Sequence, residues 1–332
     1  MIEQISYYEG CGTDPYLNLA VEEQLLYEAA PGECILYLWQ NRRTVVVGYN
    51  QNIWEECLTE KLNAEGGYPV RRLSGGGAVY HDLGNLNFTF LTASDNYDVE
   101  KQLLVILKAV QSLGISAIQT GRNDLVLEDG RKFSGNAFYQ KGERCYHHGT
   151  LMIQVDMEQL DRYLQVPDEK LRSKGIRSVR SRVANLSAYC PGLTVEQMKK
   201  ELLKSFQQVY GCRVTTKKIE MLDRARLQER RDKFSSWDWI YGRTLEFTEK
   251  ISGRFPWGRI SLGLQIEHGI IQDAAAYSDA MEQDLIAKVP EILRGCRYEK
   301  REMAHRLNQG RDAKDSHGIF GDIGSLLNGP AG

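Results

Sequence analysis

At 332 residues the chain is long for a single hydrophobic core, and two domains are the natural expectation. An apolar content of 42%, a charged content of 26% and a net charge of −2 are those of an ordinary soluble globular protein. They exclude a generally basic nucleic-acid binder, though not a local basic patch. Seven cysteines are scattered without a Cys-x-x-Cys pair, which reads as reduced cytosolic thiols and speaks against a disulfide framework or a zinc site. The first residues show no charged-then-apolar leader, and no apolar run approaches the ~20 residues a bilayer requires. A cytoplasmic protein with no membrane attachment is therefore expected.

Asp14-Pro15 opens the first predicted helix, with Asp14 capping free N–H groups and Pro15 at the first helical position. Leu17, Val21 and Leu25 recur at helical spacing up to Pro31-Gly32. Cys34 to Trp39 and Thr44 to Val47 read as buried strands joined through Gln40-Asn41-Arg42-Arg43. Leu86, Phe88 and Phe90 alternate with Asn87 and Thr89 in a further strand. A helix from about Asp98 to Leu113 carries Leu103, Leu107 and Val110 on one stripe, and Gly114 ends it. Strands are expected at Ser116 to Gln119, Asp124 to Leu127, Lys132 to Tyr139 and Gly149 to Val155. A third helix starts at Thr194, where Gln197 completes a capping box, and stops at Gly211. The aromatic run Trp237 to Tyr241 reads as a corner closing the first domain. Beyond it, Glu246 to Ser252, Arg259 to Ile266 and Ile270 to Ala276 form a small meander, and Asp279 to Val289 a helix. Strands cluster without a βαβ rhythm, so the class is α+β with a mixed sheet. The domains expected are 1–245 and 246–332.

Four segments carry chemistry. In Arg71-Arg72-Leu73-Ser74-Gly75-Gly76-Gly77, three residues without a Cβ let the backbone approach a ligand closely and turn N–H groups toward an anion. A plain hairpin turn explains the same glycines, and no helix or Gly-Lys-Ser/Thr follows to make a dinucleotide or P-loop fingerprint. In the second segment, Asn123 and Asp124 followed by Lys132, Ser134 and Gly135 place an amide, a carboxylate and a point cation near one strand start. Such a set suits phosphate, a metal–phosphate group or ribose, and a surface lysine on a hairpin is the competing reading. His147 and His148 point to opposite faces of an extended segment, so only one can line a given pocket. Finally, Lys170 to Arg182 holds six basic residues and no acid. It lacks the aromatics that stack on single strands, and a loop closing over a phosphate-bearing ligand explains it better than nucleic acid.

In order along the chain these segments resemble the lipoate–protein ligase A family. The matching runs are Arg71-Arg72-x-Ser74-Gly75-Gly76-Gly77-Ala78-Val79-Tyr80-His81-Asp82-x-Gly84-Asn85, Gly121-Arg122-Asn123-Asp124, Lys132-x-Ser134-Gly135-x-Ala137, His147-His148-Gly149-Thr150-Leu151 and Lys174-Gly175-Ile176-x-Ser178-Val179-Arg180-Ser181-Arg182-Val183-x-Asn185-Leu186. The resemblance implies a mixed-sheet biotin/lipoate-ligase-like catalytic domain and a small α+β accessory domain. It implies ATP with Mg2+, lipoate as substrate, and a lipoyl-adenylate intermediate. Its acceptors would be lipoyl domains of 2-oxoacid dehydrogenase complexes or the glycine cleavage H protein. Residue by residue, it assigns Lys132 to the lipoyl carboxyl and adenylate phosphate. Arg72, Gly77, Ala78, Val79, Tyr80, Asn123, Asp124, Lys174, Gly175, Arg180 and Arg182 fall to the nucleotide. Gly75, Gly76, His81, His148 and Gly149 fall to lipoate, and Asp124 to the metal.

Two alternatives stand beside this. An amidotransferase on the same scaffold would work through a cysteine thioester without ATP, and Cys145 is the only thiol close to the motifs. A nucleic-acid-binding protein using the basic loop would leave Lys132 and the glycine turn unexplained.

Overall fold

The computed structural model describes residues 1–120, 124–165, 182–242, 247–310 and 315–328. Contacts divide the chain into two compact units. One gathers Met1–Val46, Cys57–Val70 and Val79–Ser236; the other gathers Val47–Glu56, Arg71–Ala78 and Trp237–Gly332.

The larger unit is built on β1 (Gln4–Glu9), β2 (Glu33–Trp39), β3 (Thr44–Val47), β4 (Tyr68–Arg71), β5 (Val79–His81), β6 (Asn85–Ala93), β7 (Ala117–Thr120), β8 (Asp124–Leu127), β9 (Lys132–Lys141), β10 (Arg144–Met152) and β11 (Val214–Thr216). Eight of them form one sheet in the order β11-β1-β2-β6-β10-β9-β8-β7, and a three-stranded sheet runs β4-β3-β5. In the large sheet β1 is parallel to both β11 and β2, while the β2–β6, β6–β10 and β10–β9 pairs are antiparallel. The sheet is mixed, as the sequence predicts.

Helices cover both faces. Val99–Ser112, capped by the Asp98 carboxylate, and Val195–Tyr210, with its Thr194–Gln197 capping box and left-handed Gly211, lay Leu103, Ile106, Val110, Met198, Leu202 and Phe206 against Leu36, Leu38, Leu86, Phe88 and Phe90. This is the apolar core. Pro15–Glu28, with Asp14 accepting from the Tyr16 and Leu17 N–H groups, lies on the opposite face and packs on Arg224–Ser235. β6 is consequently buried on both sides, Asn87 and Thr89 as fully as Phe88. An apolar–polar alternation ordinarily marks a half-wet strand; here it marks a buried polar face.

β10 starts five residues before the predicted Gly149 and stops at Met152. His147 and His148 mask its central position in the sheet, and the Ile153 and Gln154 N–H groups turn to the Gly84 carbonyl instead of extending the ladder. Gly84 permits that approach, because a Cβ there would lie 1.9 Å from the Gln154 oxygen.

The smaller unit holds the antiparallel meander β12 (Glu249–Phe255), β13 (Gly258–Glu267) and β14 (Ile270–Ser278). Helices Gln283–Leu293, Lys300–Gln309 and Ile319–Asn328 complete its core of Ile260, Leu262, Ile286, Val289, Met303, Phe320 and Ile323. The helix predicted from Asp279 starts at Gln283 because Asp279 accepts from the Arg259 N–H and the Ala280 carbonyl from the Gly76 N–H. The aromatic run also belongs to this unit: Trp54 stacks on Tyr241 and Tyr49 lies against Trp239, where the sequence suggests a corner of the first domain.

Candidate active site

On β10, His148 pairs with Thr89 and Ala137, and Thr150 with Asn87. Alternation sends His147 into the core and His148 to the polar face, as the adjacent pair predicts. The His147 ring lies among Phe88, Phe90 and Phe138, with Gln102 3.1 Å from Nδ1 and Asn136 2.9 Å from Nε2. Burial pushes its pKa down to about 3, so it is neutral near pH 7.

The polar face carries a hydrogen-bonded ladder. His148 Nδ1 lies 2.8 Å from Glu22 Oε1, the Thr89 hydroxyl donates to the same oxygen at 2.7 Å, and Trp39 Nε1 donates to Thr89 Oγ1 at 3.1 Å. A carboxylate that is 1% exposed is stable there only because these donors replace water. One turn earlier on the same helix, Asn18 donates to the Gln40 carbonyl and to Asn41 and accepts from Tyr37. Asn41 in turn lies 3.3 Å from His81 Nδ1. Glu22 and Asn18 escape sequence reading. The available signal is that they sit four apart, and so on one face, in a helix whose apolar positions run on both sides of them.

Lys132 enters this face through a register shift. Leu125 faces Ser134 but Val126 faces Lys132, so one extra residue on β9 inverts the alternation and aligns Lys132 with Gly135. The Lys132 side chain lies across Gly135: a Cβ at Gly135 would be 3.2 Å from both Cε and Nζ. The Gly135 N–H reaches Thr150 Oγ1 at 3.3 Å, and the Lys132 carbonyl accepts from the Ala184 N–H at 2.9 Å. Gly149 is required by packing, since a Cβ would meet the Phe88 ring at 2.6 Å and the Asn136 Oδ1 at 2.7 Å. The structure thus brings Lys132, Gly135, Thr150 and His148 onto one face of the sheet, with His81 on the edge-on ring of Trp39.

The glycine run lies in the other unit and is tightly determined. Arg72 donates to Ser74 Oγ at 3.0 Å, to the Gly75 carbonyl at 2.7 Å and to the Gly77 carbonyl at 2.8 Å. Arg71 is 1% exposed and donates to the carbonyls of Gly48, Tyr49, Gln51, Trp239 and Ile240. The glycines differ: a Cβ on Gly75 would sit 2.4 Å from the Ala280 oxygen, and Gly76 has φ +91 and donates to that same oxygen. Around Gly77 there is open space. Ala78 continues this loop, Val79 and Tyr80 enter β5, and the Tyr80 ring packs on Tyr163 from the face of β5 opposite His81.

Asn123, Lys174, Gly175 and Arg180 lie outside the described residues, as does the side chain of Asp124; Arg182 is exposed. Among the described residues no group of three His, Cys, Asp or Glu side chains is arranged to hold a metal ion. Cys145 is buried on β10, two positions before His147 and on its face, and burial pushes the thiol up to about 11. A thioester route through it lacks both a thiolate and a place on the polar face. Among the described residues no helix is long and apolar enough to cross a membrane.

The family profile of the lipoyl protein ligase A/B catalytic domain matches residues 14–207, and that of the bacterial lipoate protein ligase C-terminus matches 244–322. A lipoate–protein ligase A of Bdellovibrio bacteriovorus is 38% identical over 303 residues, spanning 90% of this chain and 89% of the relative. The crystal structure of P. falciparum LipL1 in complex with lipoate superposes with a TM-score of 0.85 at 29% identity, covering 97% of this chain and 99% of that one. A chain from the structural analysis of a bi-partite lipoate protein ligase and its E2 lipoyl domain from Thermoplasma acidophilum gives 0.65 at 27% identity, covering 75% of this chain and 100% of that one. The chain belongs to the lipoate–protein ligase A family.

Proposed function

We propose that this chain attaches lipoate to a lysine of an acceptor protein in two steps, with the polar face around Lys132 as the seat of both. Family membership carries the activity class, an ATP-dependent lipoate–protein ligase. In the first step a lipoate carboxylate oxygen attacks the α-phosphorus of ATP, the bond to the bridging oxygen breaks, and pyrophosphate leaves. Two anions must approach, and a cation fixed beforehand stabilises the charge that accumulates between them. Lys132 is such a cation, held over Gly135 where no side chain intervenes. In the second step the uncharged amine of the acceptor lysine attacks the acyl carbon and AMP departs; positioning supplies much of this rate.

The remaining assignments follow the same logic. Gly77, Ala78, Val79 and Tyr80 offer backbone groups to the nucleotide, with Arg72 holding the loop's shape through its carbonyl contacts. Asn123, Asp124, Lys174, Gly175, Arg180 and Arg182 complete the nucleotide's surroundings. Gly75, Gly76, His81, His148 and Gly149 border lipoate, with Glu22 and Thr89 fixing His148. Mg2+ accompanies ATP on its phosphates; because no described cluster fits a metal, no step is routed through a protein-bound ion. Residues 1–245 act as the catalytic domain and 246–332 as the accessory domain. The acceptors are lipoyl domains or the glycine cleavage H protein. A cytoplasmic setting agrees with seven free cysteines.

The observation that carries the reading is the Lys132 ammonium laid across Gly135 on a buried polar face. The decisive experiment incubates purified protein with lipoate, ATP and Mg2+, with and without a lipoyl domain, and reads products by mass spectrometry. Lipoyl-AMP alone in one tube and a lipoylated domain in the other are expected. Acyl transfer without ATP would overturn the scheme.

A further inference from the structure

One hollow in the larger unit shares only Tyr80 with the scheme above. It has a volume of about 570 Å³, and its lining includes Arg42, Arg43, Tyr80, Asp82, Leu83, Asp156 and Gln159. It lies on the Tyr80 side of β5, while His81, the next residue, faces the Trp39 and Asn41 side.

The charged groups in this hollow are not paired with one another. Asp82 accepts from the Gly84 and Asp156 N–H groups, both at 2.8 Å, and Asp156 accepts from the Glu158 and Gln159 N–H groups. Both carboxylates are thus committed to backbone turns. Burial also pushes Asp82 toward its uncharged form. Arg42 donates to the Tyr68 hydroxyl at 2.6 Å and lies over its ring, and Arg43 donates to the Glu65 carbonyl. A guanidinium has five N–H donors, so most of the donor capacity of this arginine pair is uncommitted. Burial holds the Tyr80 hydroxyl protonated, and it is a further donor. Gln159, whose buried Oε1 has no hydrogen-bond partner, adds a polar amide to the lining. Leu83, 55% exposed, adds an apolar rim. Arg43 holds this position at φ +36, a left-handed backbone that costs free energy in a branched or long residue.

We propose that this hollow docks a carboxylate-bearing segment of the acceptor protein. The acid bridges Arg42 and Arg43, and an apolar side chain of the same segment covers Leu83. The volume is in the range of pockets that enclose a drug-sized molecule or a few residues of peptide, and far exceeds a lone phosphate. Bidentate recognition of a carboxylate is what paired arginines do best. β5 then carries two functions on its two faces: His81 toward the acyl chain, Tyr80 toward the protein that receives it. This inference rests on the ligase reading given above.

The test separates the half-reactions. In Arg42→Ala/Arg43→Asn, where asparagine tolerates the left-handed backbone, lipoate- and ATP-dependent pyrophosphate release should equal that of the wild type. The KM for a lipoyl domain should rise several-fold and lose its dependence on salt, because the arginine–carboxylate contact is removed. Asp or Glu to Lys substitutions on the acceptor should raise the wild-type KM and not that of the variant. An acceptor KM unchanged in the variant overturns the proposal. So does a thermal shift of the wild type in millimolar inorganic phosphate that the variant lacks, with transfer unaffected, since that marks a small-anion site. Loss of pyrophosphate release in the wild type would instead sink the ligase reading.

Discussion

The two faces of β6 are equally buried and do opposite things. One face sets Phe88 and Phe90 against the helices of the core, and admits a histidine only in its neutral form. The other sets Thr89 and Asn87 under Glu22, His148 and Trp39, and keeps a carboxylate in the interior by surrounding it with donors. Burial therefore does not distinguish a structural position from a working one. What distinguishes them is whether the interior has been filled with groups that cost free energy to bury. On this strand the polar side chains are kept in the interior by their hydrogen bonds to one another and to Glu22.

Substitutions on either face sharpen or break that contrast. The largest effect is expected from Phe90→Ala on the core face: about 3–5 kcal/mol of lost stability by denaturant titration, from the cavity it leaves. Its specific activity per folded molecule should be preserved; a selective loss of adenylation in a well-folded Phe90→Ala protein would erase the distinction between the faces. Lys132→Ala should do the converse. Pyrophosphate release should fall about 100- to 1,000-fold, near 3 kcal/mol of barrier, with an unchanged unfolding midpoint.

His147 gives a pH-dependent effect that is absent near neutrality. Its folded pKa is about 3 against about 6.5 unfolded, so between those values the unfolded chain binds a proton that the native protein refuses. Native stability is intact above about pH 6.5 and falls as pH drops toward 3, by at most about 1.4 kcal/mol per pH unit. A His147→Gln protein should show a flatter acid limb in urea titrations; an equally steep limb would show that other groups dominate. On the polar face, Trp39→Phe removes one donor to Thr89, worth about 0.5–1.5 kcal/mol. A stability loss of that size, read by denaturant titration, with a several-fold rise in the KM for lipoate is expected. Cys145→Ser is the smallest change: ATP-dependent lipoylation should continue at the wild-type rate, and its disappearance would reinstate the thioester route.

Local signals were legible in the sequence wherever a single element could announce itself. Asp14 and Pro15, the Thr194–Gln197 box and Gly211 each bound a helix where the sequence places it. The opposed histidines and the strand-borne Lys132 were likewise readable. What could not be read is what long-range pairing decides. β1 has no turn signal beside it and is defined by partners from residue 33 and residue 214. Helix Arg224–Ser235 buries only Phe234, so it has no apolar stripe to detect. Glu22 looks like any helical glutamate until the strand beneath it is known. The triple glycine is a different case: its flexibility is evident from sequence, but its division of labour is not, since Gly75 and Gly76 are pressed against Ala280 and Met281 while Gly77 is open.

The pairing of β1 with β11 sets an order of assembly. β1 needs a neighbour that emerges some 200 residues afterwards, as Ile5 meets Val214. Until then one margin of β1 has bare N–H and C=O groups, with Ile5 and Tyr7 beside them, an invitation to pair with another nascent chain. A shortened version of this protein should therefore end beyond Thr216, because any earlier stop leaves that margin open for good.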